Sequence, residues 1–242
     1  MFFSGFTHQK NEIFSIYSKF AQLLSKQRYN CVQFDYRGHG DSSGELEGIS
    51  FEDMVHDAEL CYRYFNEINP IDTFVTFGLG TTIGAALVEK YKLTNFIAWS
   101  PKFEPFLSSI ELFDEIASDS IYELNHYSSN VKVVNFLRSL GCETNNFSGS
   151  RVSAGFFDSL VYLKPVDILC KNITNILIVN AEKDLNLRTK IYHTNISKMR
   201  TNISNCSHII IPEVDRFFKY ADWQDQLFSI TSKWIEEAHC SD

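Results

Sequence analysis

The stretch Phe74-Val75-Thr76-Phe77-Gly78-Leu79-Gly80-Thr81-Thr82 decides the fold. Its first four residues form a short apolar run rich in aromatic and β-branched side chains, the composition of a buried strand. The glycines that follow turn it into a helix that the sequence carries to about Tyr91. Downstream, Phe96-Ile97-Ala98-Trp99 is a second strand, ended by Ser100-Pro101. Upstream, Pro70 closes a helix that Ser50 and Asp53 open as a capping box and that runs through about Phe65. Before it stand a short strand, Cys31-Val32-Gln33-Phe34, and the glycine-rich loop Asp35-Tyr36-Arg37-Gly38-His39-Gly40. Asn11 to Lys26 carries apolar residues at helical spacing, among them Ile13, Ile16, Tyr17, Phe20 and Leu24. Strands alternating with helices of this length imply an α/β fold, a mostly parallel sheet with helices on both faces.

The rhythm breaks from about Lys102 to Val166, a segment rich in Ser, Phe and Glu with helical pieces near Phe106–Ile116 and Val131–Leu140. It is expected to form a small cap, residues 102–165, inserted into a core made of residues 1–101 and 166–242. The alternation then resumes with a strand at Ile176–Val179, a helix at Leu187–Met199, a strand at His208–Ile211 and a closing helix from Tyr220 to His239. There is no internal repeat.

A chain of 242 residues, 44% hydrophobic and 21% charged, fits one folded domain with a short insertion. The net charge of -8 and the absence of any cluster of five or more Lys and Arg disfavour nucleic acid and an anionic membrane surface as partners. The apolar runs fall far short of the ~18 residues of a membrane span. The six cysteines are scattered with no C-x-x-C pair, so no metal site is expected, and no cofactor is called for. In a chain that opens directly on an apolar run with no secretory leader, they read as free thiols, and the expected location is cytoplasmic. Asn-x-Ser/Thr triplets at Asn146, Asn172, Asn195, Asn202 and Asn205 reflect a chain rich in Asn.

Several motifs together are familiar. Gly5-Phe6-Thr7-His8-Gln9-Lys10-Asn11-Glu12 resembles the H-G-F-T loop of bacterial α/β-hydrolases, with Ser4 where the histidine usually stands. Phe34-Asp35-Tyr36-Arg37-Gly38-His39-Gly40-Asp41-Ser42-Ser43-Gly44 is similar to their next loop, and the Trp99-Ser100-Pro101 and Asn180-Ala181-Glu182-Lys183-Asp184 turns also look like theirs. The likeness covers most of the chain and is closest to the serine aminopeptidase, monoacylglycerol-lipase-like and cinnamoyl-esterase group. It implies the α/β-hydrolase fold. In that group an antiparallel pair of strands precedes the H-G loop, so the sheet here is expected to be short by about two strands on one edge.

The resemblance also implies an ester or amide hydrolase with Ser, Asp and His in that chain order. The Ser belongs to G-x-S-x-G, a sharp strand-to-helix turn. Taken over Gly78-Leu79-Gly80-Thr81-Thr82, this motif puts Gly80, which has no side chain, in the nucleophile slot and Thr82 at the second small position. Asp184 falls in the acid slot; the alternative role for it is a cap on the following helix. Arg216, in Asp215-Arg216-Phe217-Phe218, falls in the base slot, and a guanidinium does not accept a proton at neutral pH. Arg216 is expected to pair with Asp184. The oxyanion donors by resemblance are the backbone amides of Phe6 and Thr81. His39 is the remaining histidine at the right edge, while His208 is expected at the wrong end of the sheet and His193 on a surface helix. The expected protein is therefore a catalytically deficient esterase relative that binds a small acyl or aromatic carboxylate, or a protein partner. The competing expectation is an active esterase or thioesterase with a relocated nucleophile.

Overall fold

A computed structural model describes residues 1–103, 144–147, 150–153, 156, 160 and 163–239. The strands among them are β1 (Phe2–Phe3), β2 (Thr73–Phe77), β3 (Asn95–Trp99), β4 (Thr144–Phe147), β5 (Ser150–Ser153), β6 (Asn175–Ala181) and β7 (Asn205–Ile211). Five of them lie side by side in the order β1-β2-β3-β6-β7, every pair parallel, with Val75 opposite Ile97 and Ile97 opposite Leu177. The helices are α1 (Ile16–Lys26), α2 (Phe51–Ile68), α3 (Gly80–Val88), α4 (Pro165–Asn172), α5 (Lys190–Asn202) and α6 (Ala221–His239). This is the α/β-hydrolase architecture, with no antiparallel strand in the main sheet among the described residues.

Side chains alternate across the sheet and build two cores. Phe3, Phe74, Phe96, Ile176 and Ile178 face α2, α3, α4 and α5. Phe2, Val75, Phe77, Ile97, Trp99, Leu177 and Val179 face α1 and α6, where Tyr17, Phe20, Leu227 and Phe228 meet them. Burial on both faces explains why these strands are apolar without interruption. Each fully buried aromatic contributes ~2 kcal/mol by area removed from water. The indole N–H of Trp99, buried with them, donates to Thr231 Oγ1 at 3.1 Å.

Three elements depart from the sequence-based expectation. Cys31–Phe34 does not enter the sheet: the one backbone bond that ties it to β1 is Phe2 N to Val32 O, 2.9 Å, because a two-residue β1 offers too short a ladder. The first helix begins at Ile16 rather than Asn11, since Glu12 holds a left-handed φ of 59° and turns its carboxylate back to accept from Gly5 N (2.6 Å) and Ile13 N (3.2 Å). The last strand starts at Asn205, which puts His208 in mid-strand rather than at its beginning. The Ser50–Asp53 capping box is present as expected.

Most of the expected cap, including both of its helical pieces, lies outside the described residues. What is described of it is an antiparallel hairpin, β4 with β5, which sits beside the short 3-10 turn Leu46–Gly48, and the buried side chains of Phe103, Phe156 and Leu160. Phe156 stacks on Phe6 with ring centroids 4.2 Å apart.

Candidate functional site

Five strand ends converge on one rim. Ser4 follows β1, Gly78 follows β2, Ser100 follows β3, Asp184 follows β6 and Arg216 follows β7. In parallel α/β sheets the carboxyl ends of the strands are where ligands bind.

The sharp bend between β2 and α3 falls at Gly78, which has a left-handed φ of 53°. This corrects the expectation for Gly80, which lies two residues further on as the first residue of α3 and outside the left-handed region. Gly80 is glycine for another reason: a Cβ there would stand 2.2 Å from the Phe3 carbonyl oxygen and 2.8 Å from that of Ser4. No L side chain fits where helix and β1 backbones touch. At Gly78 the situation is reversed: a Cβ there would meet only Arg216 Nη2, at 3.4 Å, an ordinary contact. The position that presents a side chain to the rim is thus Gly78, and the residue filling the space in front of it is Arg216.

Arg216 is held from two sides. Its Nη1 donates to Asp184 Oδ1 at 3.0 Å, and its Nη2 donates to the Ser100 carbonyl at 3.2 Å. Ser100 Oγ in turn donates to the Arg216 carbonyl at 3.2 Å. A guanidinium has five N–H donors, so several remain without an acceptor among the described residues. Asp184 is only 1% exposed, and its Oδ1 also accepts from Asn186 N at 3.0 Å, starting the turn Leu185–Arg188. Both roles anticipated for Asp184, pairing and capping, are therefore filled by one oxygen. Its Oδ2 is buried without a hydrogen-bond partner among the described residues.

The expected oxyanion donors divide. The Thr81 amide is spent on the Gly78 carbonyl (3.3 Å), and its hydroxyl meets Thr76 Oγ1 at 3.0 Å, so Thr81 does not serve as a donor to the rim. With the bend at Gly78, the amide next along is that of Leu79, which donates to no acceptor among the described residues. Phe6 lies in the loop fixed by the Gly5–Glu12 bond, stacked on Phe156. The Thr82 hydroxyl donates to the Lys102 carbonyl at 2.9 Å, and the Lys102 amide donates to the Gly78 carbonyl at 3.0 Å. Lys102 is thereby clamped across the bend, and burial, followed by the Arg216 charge, lowers its pKa to about 8 despite the opposing pull of Asp184.

Non-glycine residues at this rim hold left-handed backbones: Thr7 (φ 65°), Ser100 (φ 40°) and Phe218 (φ 50°). Such conformations cost ~1 kcal/mol or more each and persist only where surrounding structure enforces them.

The other titratable candidates stand apart from this arrangement. His39 is buried, its Nδ1 lies 3.0 Å from the Arg37 carbonyl, and burial lowers its pKa. His208 faces Asn180 Oδ1 at 3.0 Å in mid-strand, with its pKa lowered to about 4, first by burial. His193 meets the Leu187 carbonyl on α5. Ser42 and Ser100 direct their hydroxyls to backbone carbonyls, not to a histidine. No cluster of three or more His, Cys, Asp and Glu able to hold a metal occurs among the described residues. No described helix is long and apolar enough to cross a membrane.

The family model of serine aminopeptidase, S33, matches residues 5–133, just over half of the chain. The chain belongs to this hydrolase family. Its fold is also similar to solved esterases and lipases. Est1E from Butyrivibrio proteoclasticus, solved with ferulic acid, superposes with a TM-score of 0.69 at 16% identity, covering 99% of this chain and 88% of that one. A monoacylglycerol lipase from Paleococcus ferrophilus gives 0.66 at 12% identity, covering 98% and 93%. The Pyrococcus furiosus esterase Pf2001 gives 0.64 at 12%, covering 98% and 80%. At these identities the likeness speaks for the fold alone. No curated protein matches the sequence.

Sequence reasoning missed Gly78, Lys102 and the Leu79 amide. The frame Thr76-Phe77-Gly78-Leu79-Gly80 fits G-x-S-x-G as well as the frame two residues later does, with the small residue now at its end. Two glycines two apart make the frames equivalent on paper. Lys102 carried no signal because its position depends on the turn at Ser100.

Proposed function

We propose that this S33-family chain is a non-hydrolytic α/β-hydrolase relative that binds a small carboxylate, acyl or aromatic, at the rim beside Arg216. The observation that carries this reading is the Arg216 guanidinium standing 3.4 Å from where the Gly78 side chain would begin. In a working hydrolase an attacking hydroxyl and a proton acceptor would face each other across this gap. Here a bare backbone faces a permanent cation. Neither can take part in acyl transfer, whereas the cation, with donors left over and an unspent Leu79 amide nearby, suits a carboxylate. The ion pair with Asp184 fixes the direction of the guanidinium.

Two measurements test this. A fluorophosphonate probe should leave the protein unlabelled, and p-nitrophenyl acetate and butyrate should turn over at background rate. Labelling of any serine would instead favour a relocated nucleophile. Titration calorimetry with hexanoate, benzoate and ferulate should give saturable binding, weakened in Arg216→Gln. Absence of binding by all three would remove the carboxylate reading.

A further inference from the structure

The two edges of the main sheet are finished differently. At one, β1 has only two residues, and its Phe2 N already donates to the Val32 carbonyl. At the other, β7 runs for seven residues, Asn205–Ile211, with no charged residue, no proline and no bulge in its register against β6. Those are the devices that ordinarily keep an edge from pairing with another chain. The direction of the β7 backbone groups follows from two bonds. Asn205 N donates to the Thr174 carbonyl at 3.0 Å, and the Ile211 carbonyl accepts from Glu182 N at 3.0 Å. Within a regular strand the N–H and C=O of one residue share a side, and alternate residues face opposite sides. Asn205, Ser207, Ile209 and Ile211 therefore face β6, and the N–H and C=O groups of Cys206, His208 and Ile210 face outward. None of these outward groups has a hydrogen-bond partner among the described residues. Beside them Ile209 is 36% exposed and Ile210 46%.

We propose that β7 is the interface at which two copies of this chain pair antiparallel about a two-fold axis at His208. This inference is independent of the rim. An edge that offers donors and acceptors at alternate residues is complementary to itself when reversed. With His208 opposite its own counterpart, Cys206 faces Ile210 and Ile210 faces Cys206. Each facing pair exchanges two hydrogen bonds, so every outward group on both strands is satisfied. The side chains also match, since each large exposed residue meets a small one, Ile210 beside Cys206 and Ile209 beside Ser207. Burial keeps His208 uncharged near neutrality, with its pKa lowered to about 4, so the two imidazoles at the axis do not repel as ions. The ends of the strand are complementary in charge. Ahead of β7, Arg200 in the last turn of α5 has no ion-pair partner among the described residues. At the far end stand Glu182 and Glu213 with Lys183, which pairs with Glu213 at 3.2 Å and leaves one carboxylate charge over. Reversal brings the positive end of one strand against the negative end of the other.

The experiment is sedimentation velocity of the full chain over a concentration series, with circular dichroism of each variant to establish that it is folded. The wild type should sediment as a dimer that dissociates on dilution. Ile210→Lys, which sets a charge against Cys206 of the second copy, should sediment as a monomer. Ile68→Lys, on the exposed face of α2, should behave as wild type. Arg200→Glu should weaken association roughly tenfold, and Arg200→Glu with Glu213→Arg should regain it. Ile210→Cys reads the register directly. Facing residues of a hydrogen-bonded antiparallel pair lie ~5.5 Å apart at Cα, within reach of a disulfide, so mild oxidation should link two copies through Cys206. Ile209→Cys, which faces Ser207, should not link them. A wild type that stays monomeric throughout would overturn the proposal. So would a dimer that Ile210→Lys leaves intact and Ile210→Cys does not cross-link.

Discussion

At the end of β2, Gly78 bends left-handed, and a Cβ there would make an ordinary contact with Arg216 Nη2; two residues later, in the first turn of α3, Gly80 lies against the β1 backbone with no space at all. One is a place where a side chain has room and the other a place where none could be. The same residue type thus leaves a side-chain position bare at one place and meets a packing requirement at the next. Only neighbours in space, Arg216 for the first and Phe3 for the second, distinguish them.

The largest effect is expected at the packed position. Gly80→Ser forces a Cβ to within 2.2 Å of a backbone oxygen, and neither strand nor helix start can yield cheaply, so a loss of ~3 kcal/mol or more is expected. Urea denaturation measures it, and an unchanged midpoint would show that helix and strand do not approach as described.

Introducing a nucleophile belongs to the other glycine. Gly78→Ser combined with Arg216→His should hydrolyse p-nitrophenyl acetate ~100-fold faster than either single variant, because nucleophile and base act as a unit. The same repair attempted at Gly80 should give a poorly folded, inactive protein. Activity from the Gly80 pair and none from the Gly78 pair would reverse the assignment of the two positions.

Arg216→Gln should cost ~2 kcal/mol at neutral pH, less than for a fully buried pair because the arginine side chain is 21% exposed. The loss arises from leaving the buried Asp184 charge uncompensated. Arg216→Gln with Asp184→Asn should recover most of it in thermal unfolding. If the single change is neutral, the pair does not anchor the rim.

The smallest effect lies between the two glycines and the strand below them. Thr81→Val removes the contact of its hydroxyl with Thr76 Oγ1 at 3.0 Å but leaves Thr76 bonded to the Ile97 carbonyl at 2.9 Å. A loss of ~1 kcal/mol is expected in chemical denaturation. A much larger value would mean that this bond helps hold the bend itself.

Much of the fold was legible because its signals are local. Phe74–Phe77, Phe96–Trp99 and Ile176–Val179 are apolar runs of strand length, and each is a strand of the sheet within a residue or two at its ends. The Ser50–Asp53 box marked the start of α2 to the residue, since both partners of a cap lie within one turn. Cys31–Phe34 has the same composition as the true strands but lies outside β1, a strand of two residues, and composition does not reveal the length of a neighbour. Glu12, read as part of a helical stripe, is removed from α1 by a bond to Gly5, seven residues away.

By itself the sequence determined that the chain is an α/β hydrolase in architecture, and that an aspartate and an arginine follow the last two strands. Those facts follow from hydrophobic period and motif order, which are properties of neighbours along the chain. Which glycine faces Arg216, which amides are already spent and where Lys102 comes to rest were decided by the approach of β1 to α3 and by the turn at Ser100. These are contacts between segments far apart in sequence, set by steric exclusion at distances of a few ångströms, and no pattern within either segment encodes the gap between them.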